Sequence, residues 1–212
     1  MSIDDTIMAI AKKQYKPDGP NQWTHIMRVL RRAEAIAKWR KKPLSEEERL
    51  AVLFHDSAKW IPEFKGQDHG ESSAIHTYGL LKGRVREAAL KAAVRAIAKH
   101  NYDKDPEDPV AELLMSADAN IPNLGWYLRK SYNHAKHQLG LDHAGSVLNA
   151  YNYAKKGTAT LSNKKYRPKL YEKAFAADIK KTEDEVGKLT ADDVWPIIQK
   201  YQKDNPDSSI FE

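Results

Sequence analysis

An all-α fold, a compact helical bundle with a C-terminal helical extension, follows from three observations. Apolar residues recur at three- and four-residue spacing along the whole chain, period-two alternation is missing, and cap residues punctuate the apolar stripes. Ile26, Val29, Leu30, Ala33 and Ile36 mark the buried stripe of a first long helix. Ser45 with Glu48 reads as a capping box, and Leu50, Leu53 and Phe54 then give a second helix its buried face. A third is expected from Gly70 to Lys82, ended by Gly83, and a fourth through Val85, Ala89, Ala93, Ala96 and Ile97, broken by NYDKDPEDP. Val110, Leu113, Leu114 and Ala117 mark a fifth, with Asp108 and Pro109 as its cap and first turn. Beyond Pro122 we expect helices from Leu124 to Gln138 and Ala144 to Lys155, the loop KKGTATLSNKKYRP, and two more helices, the last capped by the Thr190 and Asp193 pair. The expected organisation is a core over residues 1–140 with a helical extension packed on it over 141–212.

Composition narrows the function. With 41% hydrophobic and 30% charged residues in 212, the chain reads as soluble and globular rather than disordered. No apolar run reaches the roughly 20 residues that cross a bilayer, and acids precede the short apolar stretch of the N-terminus, so a cytoplasmic protein is expected. The absence of cysteine excludes disulfides and thiolate metal sites, leaving imidazole and carboxylate as the metal donors. Residues 1–42 carry ten Lys and Arg against four acids, which accounts for the net charge of +6. Such a patch suits a phosphate-bearing ligand or nucleic acid, and its plainer reading is a solvated helix face.

The chemistry-bearing residues fall where the stripes point inward. His25 opens the first long helix beside its buried face, and His55 with Asp56 closes the second directly after Leu53 and Phe54. His100 continues the stripe of Ala96 and Ile97, and Asp118 lies four positions beyond Leu114. An inward carboxylate on a helix of Leu and Ala calls for a cation or for hydrogen bonds, because burying it alone is costly. Neighbours on a helix are about 100° apart, so His55 and Asp56 reach one ion only at a helix end or an irregular turn. Lys59, four positions after His55, is placed to meet a phosphate oxygen as a flexible point charge.

The order His25, His55-Asp56, Asp118 resembles the HD-domain superfamily of metal-dependent phosphohydrolases. The strings WTHIMRV, LAVLFHDSAK and AELLMSADA carry the likeness, which spans residues 20–130. It implies that His25, His55, Asp56 and Asp118 hold a divalent transition metal, with Mn, Fe, Co or Ni suiting the donor set. His69 in DHGESSA and His100 in AIAKHN are similar to positions that bind a second ion in some branches. If both bind, Asp56 bridges two ions roughly 3.5 to 4 Å apart; otherwise the two histidines line the phosphate pocket of a one-ion enzyme. The chain departs from the pattern at Ser116, where many relatives carry an acid, and in ANIPNLGWYLR, whose Gly125 and Arg129 match only loosely.

The resemblance implies hydrolysis of a phosphoester or phosphoanhydride in a nucleotide. A (deoxy)nucleoside phosphate is the expected substrate, and a dinucleoside polyphosphate or cyclic dinucleotide is the alternative of the two-ion branches. Lys59 and Arg28 would offset charge on the phosphoryl oxygens, with Glu71, close to His69, as a candidate acid or base. His134 and His137, three apart, are lesser metal candidates, whereas His76 and His143 read as surface or core. Trp23, Trp39, Trp60, Trp126 and Trp195 read as packing residues. The rival reading is a non-catalytic basic helical module that binds nucleic acid or regulates, carried by Arg40-Lys41-Lys42-Pro43 and KKYRPK. Expected partners are thus a nucleotide first, nucleic acid second, a further copy of the chain, and no membrane.

Overall fold

Each apolar stripe becomes the buried side of a helix. The computed structural model describes residues 3–15, 23–100, 106, 108–119, 123–161 and 168–205. Among these there are eleven α-helices, one short 3₁₀ turn at Pro62–Phe64 and no strand. The helices are α1 (Ile3–Lys12), α2 (Trp23–Trp39), α3 (Glu46–Phe54), α4 (His69–Leu81), α5 (Glu87–Ala98) and α6 (Pro109–Asp118). They continue as α7 (Leu124–His137), α8 (His143–Leu161), α9 (Lys169–Ala174), α10 (Ala176–Lys188) and α11 (Val194–Asp204). No described helix is long and apolar enough to cross a membrane.

Contacts divide the chain into two units, Met1–Asn120 with Tyr166–Ala174, and Ile121–Lys165 with Phe175–Glu212. In the first, α2, α3, α5 and α6 pack on one another, burying Ile26, Ile36, Leu53, Phe54, Ile97, Leu113 and Leu114 completely. Each such side chain contributes about 1.5–3 kcal/mol by leaving water. A nine-residue helix such as α3 is marginal in isolation, so it depends on this core and on its caps. The capping box forms: Glu48 N–H donates to Ser45 Oγ, and Ser45 N–H donates to the Glu48 carboxylate. Asp108 caps α6 by accepting from the Val110 and Ala111 N–H groups, both at 2.9 Å, with Pro109 as the first helical residue. The short α9 docks on α6, the Leu170 N–H donating to Glu112 Oε1 at 3.0 Å.

The second unit has its own core, in which Leu128, Tyr132, Ala150, Ala154, Val186, Val194 and Ile198 meet from α7, α8, α10 and α11. Gly125 is needed there, because a β-carbon at that position would stand 2.8 Å from the Tyr201 side chain.

Several local expectations change. Helix α1 carries no strong sequence signal, yet Ile7 and Ala11, one turn apart, are buried. Helix α8 runs to Leu161, into the segment expected to be a loop. Lys155 holds it there by donating to the Val186 carbonyl at 2.8 Å. The Thr190 and Asp193 pair forms with its roles reversed: Asp193 is the N-cap residue of α11, and its Oδ2 accepts from the Thr190 N–H and hydroxyl. Trp39 and Trp60 are 49% and 37% exposed, so neither is a core packing residue.

Candidate metal centre

Two groups of three donors assemble at helix ends of the first unit, His25 with His55 and Asp118, and Asp56 with His69 and His100. In the first, His25 Nε2 lies 3.2 Å from His55 Nε2 and 3.3 Å from Asp118 Oδ1, with His55 Nε2 3.7 Å from the same oxygen. In the second, His69 Nε2 lies 3.2 Å from His100 Nε2 and 3.9 Å from Asp56 Oδ1. Asp56 belongs to both neighbourhoods, since its other oxygen, Oδ2, is 3.8 Å from His25 Nε2 and from His55 Nε2. The adjacent pair His55-Asp56 serves different groups because α3 ends at Phe54 and a run of turns begins.

Local backbone chemistry orients the rings. A carbonyl only accepts, so His55 Nδ1–H donates to Val52 O at 2.9 Å and His100 Nδ1–H donates to Ile97 O at 2.6 Å. Both rings therefore present the Nε2 lone pair to the partner histidine. His25 Nε2 and His69 Nε2 meet those lone pairs either as N–H donors or across a shared cation.

The surrounding elements are held by buried contacts. Arg32 Nη1 donates to the carbonyls of Ala117, Asp118 and Ala119 at 3.2–3.5 Å, closing the end of α6 that carries Asp118. Gly70 lets α4 approach the end of α5, because a β-carbon there would be 2.9 Å from the Ile97 carbonyl oxygen. That approach sets His69 beside His100. The turn after Asp56 is tied to α4 through Ser57 Oγ with Thr77 Oγ1 at 3.2 Å and Ala58 N–H to Ser73 Oγ at 3.2 Å. Tyr15, buried and three residues past α1, donates its hydroxyl to the Leu53 carbonyl at 2.7 Å.

Charge is balanced within this cluster. Burial pushes the Asp118 carboxyl up, but the His25 hydrogen bond and the charges of His55, His25 and His100 outweigh it and hold the group well below the usual carboxylate range. For Asp56 burial is likewise overcome, by His55 and Lys59, leaving it below its ordinary value despite the like charge of Asp118. Burial is the leading cause that lowers His69 and His100, reinforced for His69 by His100 and for His100 by His55. Both carboxylates are thereby favoured ionised and both histidines neutral, the forms that ligate a metal. The Tyr15 phenol is raised well above its ordinary value by burial and then by the Asp56 charge, which places it within the field of the cluster.

The remaining candidates divide. Lys59 is at the site, its Nζ 3.1 Å from Asp56 Oδ2 and its side chain about one-third exposed. Arg28 stands beside His25, Nη2 to Nδ1 being 3.5 Å. Glu71 is exposed in the first turn of α4, where its N–H donates to Asp68 Oδ1. Arg129 belongs to the second unit, buried over the Tyr201 ring. His134 and His137 are exposed on the last turn of α7, outside both groups. His76 bonds Gln14, and His143 bonds the Tyr132 hydroxyl. In the basic run, Arg40 is engaged by Glu48 through two contacts of 2.7 and 2.6 Å, and KKYRPK lies largely outside the described residues.

The chain matches no protein-family model, no curated protein and no solved structure. Its own geometry is what bears on function. Two ligand nitrogens about 2.1 Å from one ion and about a right angle apart stand roughly 3 Å from each other. Both facing histidine pairs are spaced at 3.2 Å, and each group adds a carboxylate oxygen. This all-helical protein thus carries largely buried histidine and aspartate groups that can hold a metal ion.

Proposed function

We propose that the chain is a metal-dependent phosphohydrolase of the HD-domain kind that cleaves a phosphoester or phosphoanhydride bond of a nucleotide. The observation that carries this reading is the meeting of two three-donor groups at the two oxygens of Asp56. That meeting favours two ions over one, and so favours the dinucleoside polyphosphate or cyclic dinucleotide alternative over a simple (deoxy)nucleoside phosphate. His25, His55 and Asp118 would hold one ion and His69 with His100 the other, with Asp56 between them. Divalent ions bound there supply Lewis-acid polarisation of the phosphoryl group and bring the pKa of water toward neutrality.

The chain's own residues do the rest. Val52 O and Ile97 O fix the tautomers of His55 and His100, so the donor atoms need no reorientation when a ligand arrives. Lys59, bound to Asp56 yet partly open to solvent, is the cation nearest the acids that can turn toward a phosphoryl oxygen. Arg28 adds a second positive charge beside His25. Together they would stabilise charge gathering on the transferred group, which is most of what phosphoryl transfer requires.

The test is release of phosphate, pyrophosphate or linear nucleotide from a panel that includes triphosphates, dinucleoside polyphosphates and cyclic dinucleotides, with Mn(II) and with chelator. We expect Mn(II)-dependent release that drops by more than the ~10- to 100-fold typical of losing an outer-shell partner when Asp56→Ala or His55→Ala is introduced. Release unaffected by these changes, or none with Mn, Fe, Co or Ni, would overturn the reading.

A further inference from the structure

Helix α3 ends in carbonyls that lack intrahelical partners, and three of them can be traced. Ser57 N–H donates to Phe54 O at 3.0 Å, and the His55 ring donates to Val52 O. Both of those are local. The third, Leu53 O, accepts from the hydroxyl of Tyr15, 38 residues away, at 2.7 Å. Leu53 precedes the ligands His55 and Asp56 by two and three residues, so Tyr15 grips the backbone from which both side chains project.

The residue before Tyr15 reaches the other ligand-bearing element. Gln14 Nε2–H donates to Ile10 O at 3.0 Å, which turns its Oε1 toward His76 Nε2 at 2.9 Å. His76 lies on α4 seven residues, close to two turns, beyond His69, and therefore on the same face. Two consecutive side chains thus hold the end of α3 and the body of α4. The turn that bears them is itself anchored by Gln14 N–H to Ala11 O at 2.9 Å, and the Tyr15 ring rests near Trp23, the first residue of α2, with centroids 6.0 Å apart.

We infer that Gln14 and Tyr15 form a positioning clamp that sets the spacing between the two metal-binding groups, the one through Leu53 O and the other through His76. The inference rests on the two-ion reading above but concerns residues that touch no donor atom and no substrate. They are positioning residues. Ser57, Ser73 and Thr77 tie the same two elements from within, and the clamp closes them from the side of α1.

Mn(II) alone is the probe. Equilibrium titration counts the ions and gives their affinities, and electron paramagnetic resonance of the doubly loaded protein reads the exchange coupling between them, which depends on their separation. Wild-type protein is expected to bind two coupled Mn(II) per chain. Tyr15→Phe, which deletes one oxygen and keeps the ring, and Gln14→Ala are each expected to remain helical by circular dichroism. Each should weaken the second ion by about 10-fold, as loss of an outer-shell contact does, and change the coupled spectrum. A substitution that acted only on general stability would lower the melting temperature and leave the spectrum of the loaded, folded protein unchanged. Folded Tyr15→Phe or Gln14→Ala protein with wild-type affinities and a wild-type spectrum overturns the clamp and leaves the metal reading standing. Wild-type protein that binds no Mn(II) overturns both.

Discussion

The two donor groups flank the Asp56 carboxylate and differ in how they are guarded. In the group at His25 the three side chains are 0–18% exposed, and Arg32 grips the end of α6 behind Asp118. In the group at His69, Asp56 and His100 are as deeply buried, but His69 is 38% exposed and is the first residue of its helix. A donor that faces solvent is reached and displaced by water more readily than one enclosed in a core. The first group is thus enclosed on all three donors, whereas the second is open to solvent at His69.

The largest effects are expected from removing one histidine from each group. His25→Ala should abolish tight Mn(II) binding at the first group, whereas His69→Ala should leave one Mn(II) per chain near wild-type affinity, as read by equilibrium dialysis. Equal losses would show that the groups are not independent. Gly70→Ala comes next in size: its new methyl would be pressed against Ile97 O, so α4 must shift from α5. We expect a selective ~10- to 100-fold weakening of the second ion, with the first unchanged in the same titration. Arg32→Ala is the mirror test. It should loosen the first ion by about 10-fold and spare the second.

The smallest expected effect is that of pH on the metal-free chain. His69, His76 and His100 are all held below the ordinary histidine range, chiefly by burial. Below about pH 6.5 the unfolded chain therefore takes up protons that the folded chain resists, and stability must fall as pH drops through that range. Asp56, Asp118 and Glu48, held below the carboxylate range, add a further loss only at lower pH, as their stabilising ionised forms disappear. Thermal melts should show both stages. His76→Gln, which keeps a donor for Gln14 but cannot protonate, should reduce the first stage without touching a donor atom.

Much of this was legible in the sequence because it is written locally. Stripes at helical spacing gave α2, α3, α5 and α6, Gly83 marked the end of α4, the capping box gave the start of α3, and Asp108-Pro109 gave the start of α6. Of the residues that meet in the two groups, His25, His55, Asp56, His100 and Asp118 stood out because each adjoins an apolar helix stripe near a helix end. What sequence could not show depends on distant partners. Tyr15 and Arg32 carry no local signal, since the groups they hold lie 38 and about 85 residues away. Arg40 looked like a free cation in a basic run and instead forms a fork with Glu48, one helix further on. Helix α1 begins with acids and buries Ile7 and Ala11 one turn apart, too sparse a stripe to stand out.

The five helix ends that supply the donors are spread unevenly along the chain, and this gives the two groups different moments of completion during synthesis. Every donor of the His69 group has been made by residue 100, within the stretch from the end of α3 to the end of α5. The His25 group begins earlier and finishes later, waiting for Asp118 at the end of α6. The residues of the His69 group thus leave the ribosome before Asp118, the last member of the His25 group.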